Sequence, residues 1–584
     1  MSKGLIQSLL LCSIIIVISL FTLYPSFKLA LFGDDWQQIF HYFLYLGPKS
    51  SVFDHLTYFV GGYGAFGVIT GISYLAFGHD YKMYYIFSYI YKLLSAFAIF
   101  PLAFYLTRSK LAAFYASLFL SVTIIGLEST NWVVNSPAYL AVANLSLFLY
   151  FFLKSRENLK PLYFIGAAIF FYLAHIFAPV RMTGLLPFTI ILEIFLYIKS
   201  PNIKLSSIRL VILFVVFAII TVTGASAGRT DTLAGQASKT LFSGFSQIAA
   251  ALDKGRTDFL FYPVMTVGRI VVPDTTAIKI FPMLIYLIVF MAVFYANANK
   301  SKKVIAGIAV GIAVWSLISM LIYESNKLTL SARDALSLAI GGYFLTTAII
   351  LLFFLKKHLL FYSVFIASFW SVFSFIFPWI RAPETLNPTE HRYLVASSVG
   401  VAIFFASIIG LGKQLKNRVY LFLVVIPFLL INILATRSFL TDAVQNSHGS
   451  EAINKIWPQF PRIAEIGKTE KPLMFFFTSS PEKEKLKHHS LTFGFPFRMA
   501  FIYNIDNYWK MPIATNSWPD VVSAVSDGQS LFMNNFPKDP IPVENIYAFY
   551  LTSDNNLLNI TEATREKLKD FLKQNPESNN QTGN

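Results

Sequence analysis

Long apolar stretches divided by short polar loops recur from the N-terminus to about residue 436. Each is long enough to cross a hydrocarbon core of roughly 30 Å. The pattern predicts thirteen membrane-spanning helices, at 5–24, 81–107, 111–128, 137–153, 161–179, 183–199, 208–225, 279–298, 304–323, 335–355, 358–378, 390–411 and 419–436. Two of the connecting loops are long, 25–80 and 226–278. In the first, DDWQQIFHYFLYLG has the spacing of an amphipathic helix lying on the membrane surface, with Ile39, Phe40, Phe43 and Leu44 on its apolar face. The second contains apolar segments broken by Gly and Pro, the composition expected of a lid rather than of a disordered linker.

After Thr436 the pattern changes, and residues 437–584 carry 15 basic and 16 acidic residues with no spanning run. KPLMFFFTSS and ENIYAFYLTS read as buried strands, and ITEATREKLKDFLKQ as a closing amphipathic helix. The expected fold class is an all-α polytopic membrane domain, 1–436, followed by a small extracytoplasmic α/β domain, 437–584, with a disordered tail.

Composition and charge sharpen this picture. Only 13% of the residues are charged, about half the share usual in soluble proteins, which excludes a soluble enzyme of this length. The net charge of +16 would suit a nucleic-acid binder, but its distribution assigns it elsewhere. The loops holding Lys3, Arg108, Lys110, Lys154, Arg156, Lys160, Lys199, Lys204, Arg209, Lys300, Lys302, Lys303, Lys356, Lys357, Lys413, Lys416 and Arg418 contain one acid, Glu157. By the positive-inside rule these loops are cytoplasmic, the N-terminus with them, and the C-terminus lies outside. The apolar segment 61–77 would invert every later loop if it spanned, so it is expected to be re-entrant or interfacial. Cys12 is the single cysteine, so an intrachain disulfide is impossible. No small-residue cleavage site precedes Tyr24-Pro25, and the first span is expected to be retained.

Candidate chemistry gathers on the outer face. Asp34 and Asp35 follow the first span; Asp34-x-x-Gln37 reads either as a helix cap or as the position of a catalytic carboxylate. Glu128 ends the third span, with Trp132 shortly after it. Arg181 lies between two spans with almost no loop, and Arg392 lies just inside a helix start marked by Asn387, Pro388 and Glu390. Outer arginines at that depth are usually paired or functional, and a guanidinium fork suits a phosphate; His391 stands beside Arg392. His488-His489 sits in the charge-rich PEKEKLKHHS, read as a solvated stretch rather than a metal site, and Glu193 is expected to pair with a neighbouring helix or to snorkel inward.

An outer acidic pair after the first span, an acid followed by Trp after the third, and the late stretch EHRYLVASSVG together resemble the GT-C superfamily of membrane glycosyltransferases. The thirteen spans and outer C-terminal domain are similar to the branch with protein O-mannosyltransferases and lipid A aminoarabinose transferases. Two departures stand out: Ala396 replaces a proline of the late motif, and Arg181-Met182 stands where many relatives have Lys-Glu. The resemblance implies inverting transfer of a sugar from a polyprenyl-phosphate donor to a hydroxyl of a protein, lipid or glycan acceptor. It implies that Asp34 is the base and Asp35 its partner, with Glu128, Arg181, His391 and Arg392 binding substrate. No cofactor is expected; a divalent metal stays open as an unsupported alternative, since two carboxylates alone do not make a metal site. The rival classes are a transporter or flippase of an anionic amphipathic lipid, and an inactive anchor for the C-terminal domain. Transporters commonly carry internal repeats and midplane acids, and neither is visible here.

Overall fold

The computed structural model describes residues 3–37, 39, 64–78, 80–225, 245–250, 252–271, 302–354, 359–381, 394–411, 418–460, 473–503, 505, 511–526 and 540–574. The protein is mostly helical, with one small sheet near the C-terminus. The long helices are α1 (Lys3–Leu23), α2 (Gly64–Phe77), α3 (Tyr81–Thr107), α4 (Lys110–Val122), α5 (Pro137–Glu157), α6 (Pro161–Phe177), α7 (Leu185–Lys199) and α8 (Ile203–Ala225). They continue with α9 (Tyr262–Val271), α10 (Lys302–Ser325), α11 (Ala332–Phe354), α12 (Leu359–Arg381), α13 (Ser397–Leu411) and α14 (Arg418–Ala443). Among the described residues six helical stretches are long and apolar enough to cross a membrane. The expected span at 279–298 and the tail from 575 lie outside the described residues. Segment 61–77, expected to be re-entrant or interfacial, is helical from Gly64.

Two faces of these helices are apolar for different reasons. Inward, Phe119, Phe148, Phe171, Phe188, Trp370 and Phe405 are buried in one continuous core. Outward, Leu10, Val17 and Phe21 on α1, Val211 and Val215 on α8, and Leu317 and Met320 on α10 are exposed. A helix that is hydrophobic all round belongs in a membrane or deep in a protein. Here only the membrane fits, because the outward residues touch no core.

Several polar groups inside the bundle are paired, as a medium without water favours. Helix α4 stops at Val122, short of the expected 128, and its end is held by neighbours. Lys92, 1% exposed on α3, donates from Nζ to the Thr123 carbonyl at 2.9 Å. Thr123 Oγ1 donates to Asn432 Oδ1 at 2.9 Å, and Thr436 Oγ1 to the Val122 carbonyl at 2.7 Å, both on α14. Such side chains satisfy the carbonyls a helix end leaves over. Gly126 then turns the chain with φ +75°, and a Cβ there would sit 2.5 Å from Val395. Glu128 is placed by that turn.

Near the other ends of α5, α7 and α8, Glu193 is 1% exposed and pairs with Arg156 at 2.8 Å and Arg209 at 2.9 Å, the pairing alternative of its two expectations. One acid thus holds two arginines from different helices. Breaking a buried ion pair leaves an uncompensated charge and costs about 3–5 kcal/mol. Glu193→Gln should therefore lower the melting temperature of the detergent-solubilised protein markedly; an unchanged melting curve would show that the cluster does not hold these helices together.

Candidate functional site

The first helix leads into the site. After α1, a 3-10 turn (Tyr24–Lys28) delivers Leu29 into an isolated antiparallel bridge with Gly449. Ala30 N–H donates to the His448 carbonyl at 2.8 Å, and the Ala30 carbonyl accepts from Tyr85 Oη at 2.9 Å. The chain is thus strung between α3 and the segment after α14 before it reaches the two aspartates.

Gly33 makes the turn with φ +54°, and its backbone lies against Gly494, whose φ is +84°. A Cβ on Gly494 would sit 2.6 Å from the Gly33 carbonyl oxygen, and a Cβ on Gly33 would sit 2.2 Å from the Phe493 ring. Both positions need positive φ and no side chain, which glycine alone supplies cheaply. A helical turn, 34–37, follows. Within this turn the Asp35 carboxyl bonds two backbone amides. Phe32 N–H donates to Asp35 Oδ2 at 3.4 Å while Asp35 N–H returns to the Phe32 carbonyl at 3.1 Å. Asp35 Oδ1 accepts from Val134 N–H at 2.8 Å, clasping the Glu128–Asn135 loop. Burial pushes the Asp35 carboxyl up to about 8; the donors on Val134 and Phe32 restrain the rise and neighbouring Asp34 adds to it. Asp34 is half-buried at the start of the turn.

Beside this turn lies a pocket of about 370 Å³, within the range of small-ligand sites. Phe32, Glu128 and Trp132 line it from the helical bundle, and Phe439 and Asp442 from the C-terminal end of α14. Lys485, His488, His489 and Phe493 close it from the C-terminal domain. Phe32 and Trp132 are stacked, centroids 5.4 Å apart at 23°, and the His489 ring meets Phe32 edge-on at 5.3 Å. Lys485 pairs with Asp442 across the rim. Burial first, then His488 and Lys485, hold the His489 imidazole down to about 4, so it is neutral at physiological pH. Arg498, 5% exposed, sits 3.8 Å over Trp457 and 4.9 Å over Trp36, and its Nη2 reaches Tyr81 Oη at 3.5 Å. This cation-π cage ties the C-terminal domain to the residue after Asp35.

The residues singled out in the sequence fare unequally. Asp34, Asp35 and Glu128 are drawn to one end of the bundle by the Asp35 clasp. Arg181, 6% exposed, donates from Nη2 to Asn135 Oδ1 at 2.9 Å and so braces the Glu128 loop, but it does not line the pocket. His391 and Arg392 lie outside the described residues. His488 and His489, set aside in the sequence as solvated, line the pocket. The signal that would have found them is the strand just before them, since loops leaving parallel strands commonly carry ligands. Among the described residues no three His, Cys, Asp or Glu side chains gather as a metal site.

Neither a protein-family model nor a curated protein sequence matches the chain. Solved structures are similar to it in shape. The archaeal oligosaccharyltransferase AglB from Archaeoglobus fulgidus, in complex with an inhibitory peptide and a dolichol-phosphate, is 15% identical, with 92% of this chain and 69% of that one covered and a TM-score of 0.41. The apo form of the Archaeoglobus fulgidus oligosaccharyltransferase is 15% identical over 88% of this chain and 67% of that one, TM-score 0.35. Its complex with Zn and sulfate is 14% identical over 91% and 67%, TM-score 0.32.

The Asp35 environment has a measurable consequence. The unfolded carboxyl loses its proton near 3.8, the folded one near 8. Between those values the folded state holds the extra proton, so the group subtracts stability as pH rises and subtracts no more above about 8. Asp35→Asn removes the titration while leaving an oxygen for Val134. Its melting temperature relative to the parent should climb between about pH 5 and pH 8 and then level, and a pH-independent difference would show that the carboxyl is ionised throughout.

Proposed function

We propose that the protein is a membrane glycosyltransferase that moves a sugar from a polyprenyl-phosphate donor to a hydroxyl of a protein, lipid or glycan acceptor on the outer face, with inversion. The observation that supports this most directly is the pocket where Phe32, which leads into the turn carrying Asp34 and Asp35, the Glu128–Trp132 loop and residues 485–493 meet at one end of an apolar bundle, with the two aspartates beside it rather than in its lining. A lipid-linked donor can hold its chain in the bilayer and offer its sugar to such a pocket. In this reading the acceptor oxygen attacks the anomeric carbon, the bond from that carbon to the phosphate oxygen breaks, and the phosphate leaves with the electron pair. The hydroxyl proton passes to the Asp34 carboxylate, which acts as the general base. Asp35 positions Asp34 and the Glu128 loop through its clasp, in place of an equal catalytic share. Arg392 supplies fixed positive charge to the departing phosphate, with His391 beside it. Arg181 acts on the site through Asn135. Thirteen spans, a cytoplasmic N-terminus and an outer C-terminal domain complete the proposal.

The sidedness is open to labelling in a Cys12→Ser background. A cysteine replacing the exposed Ser325 should react with an impermeant thiol reagent from outside, and one replacing the exposed Asn202 should not; the reverse pattern would place the pocket on the cytoplasmic face.

The chemistry is tested in proteoliposomes supplied with a radiolabelled polyprenyl-phosphate hexose, following release of polyprenyl phosphate. Asp34→Asn should slow release by roughly 10²-fold or more without loss of folded yield, because asparagine accepts no proton at neutral pH. Arg392→Lys keeps the charge, loses the fork, and should slow release as well. Full turnover in both Asp34→Asn and Asp35→Asn would remove the outer acids from the mechanism.

A further inference from the structure

Helices α1 and α14 both run toward the end of the bundle that carries the pocket, α1 into the segment that reaches Phe32 and α14 into Phe439 and Asp442. They are joined there by one side chain. Arg437 of α14 donates from Nη1 to the Phe21 carbonyl at 2.6 Å and lays its guanidinium 4.4 Å over the Phe21 ring. Each helix also turns an apolar stripe away from the core. On α1 the exposed residues are Val17 and Phe21, continued by Tyr24 in the 3-10 turn; on α14 they are Leu430 and Leu434. Spacings of three and four residues keep each stripe on one face. Both stripes end at a cation. Arg437 stands one turn beyond Leu434, and Lys28, exposed at the end of the 3-10 turn, holds its ammonium 5.7 Å from the centre of the Tyr24 ring. Among the described residues neither cation has a carboxylate partner, and Asp442, the one acid of α14, is paired with Lys485.

We propose that this end of α1 and α14 is a binding site for an anionic diacyl phospholipid, with the headgroup phosphate held by Lys28 and Arg437 and the acyl chains laid along the two stripes. The chemistry of the patch selects this occupant. A guanidinium carries five N–H donors and the Phe21 carbonyl takes one, which leaves others for phosphate oxygens. Phe21 and Tyr24, three residues apart, share a face, so the cations over their rings act on the same headgroup. A zwitterionic headgroup would bring its own ammonium against two like charges with no acid to receive it. Two stripes suit two acyl chains, whereas a polyprenyl phosphate has one chain and inorganic phosphate has none. Phe439 and Asp442 follow Arg437 on the same helix, so a lipid held here steadies one wall of the pocket. The site needs only the bilayer, and it stands or falls apart from the transferase reading.

Photolabelling of the full chain in phosphatidylcholine nanodiscs tests it. The probes are phosphatidylglycerol and phosphatidylcholine, each with a diazirine at the glycerol end of one acyl chain, and adducts are mapped by peptide mass spectrometry. Phosphatidylglycerol should label 17–28 and 430–438 at least about tenfold more than phosphatidylcholine does. The double variant Lys28→Gln/Arg437→Gln should lose most of that preference, and Lys28→Arg/Arg437→Lys should keep it. Lys110→Gln and Lys160→Gln, exposed at the opposite end of the bundle, should leave labelling of the patch unchanged. Equal labelling by the two probes, or an undiminished preference in the folded glutamine double variant, would overturn the proposal. Should that variant fail to fold, the comparison of probes on the parent and on the charge-keeping variant still decides. Excess unlabelled phosphatidylglycerol should displace the probe. Displacement by less polyprenyl phosphate than phosphatidylglycerol would assign the patch to a single-chain lipid, and displacement by inorganic phosphate would show a site for the ion alone; either result overturns the proposal.

Discussion

The contact between the Gly33 and Gly494 backbones is the constraint from which the rest of this end of the bundle follows. Two left-handed residues meet so that a Cβ on Gly494 would strike the Gly33 backbone, while one on Gly33 would strike the Phe493 ring. Because backbone touches backbone, the turn carrying Asp34 and Asp35 cannot shift without the C-terminal domain shifting with it. Phe32, one residue earlier, is fixed in the stack with Trp132. Trp36, three residues later, is fixed against Arg498. The membrane domain and the sheet domain therefore share one site rather than merely sitting side by side.

Within that frame the two adjacent aspartates sit in different surroundings. Asp35 spends both oxygens on backbone donors and joins the segment after α1 to the loop after α4. Its neighbour Asp34 is half-buried at the start of the turn. The cations divide as well. Arg181 braces Asn135 from a short connection, and Arg498 is sheathed in aromatic rings, so neither presents a bare charge to the pocket. Electrostatics here serves mainly to hold loops in register.

Much of the fold was legible because spanning helices leave a strong imprint. Apolar runs bounded by basic loops located the helices, α3 and α5 among them, and the change of composition after Thr436 announced the sheet. The end of α4 was misplaced by several residues because Lys92 and Asn432, distant in sequence, terminate it. Asp34 and Glu128 could be named from their order along the chain. Asp35 could be named but not interpreted, since its partner is a backbone amide 99 residues away. His488 and His489 were hidden for the converse reason. Their neighbours in sequence are charged and soluble-looking, and only the parallel pairing of the strand before them, Met474–Ser479, shows which way their loop faces.

Lys92 bears on how the chain enters the bilayer at all. A lysine near the middle of a spanning helix opposes insertion by about 2.5–3.5 kcal/mol. Its ammonium finds the carbonyl of Thr123, at the far end of the very next helix. α3 and α4 are joined by two residues, so the pair can leave the translocation machinery as one hairpin with the charge already satisfied. Biogenesis is then coupled to site formation: the hydrogen bond that lets Lys92 cross the membrane also fixes the helix end from which the Glu128 loop departs.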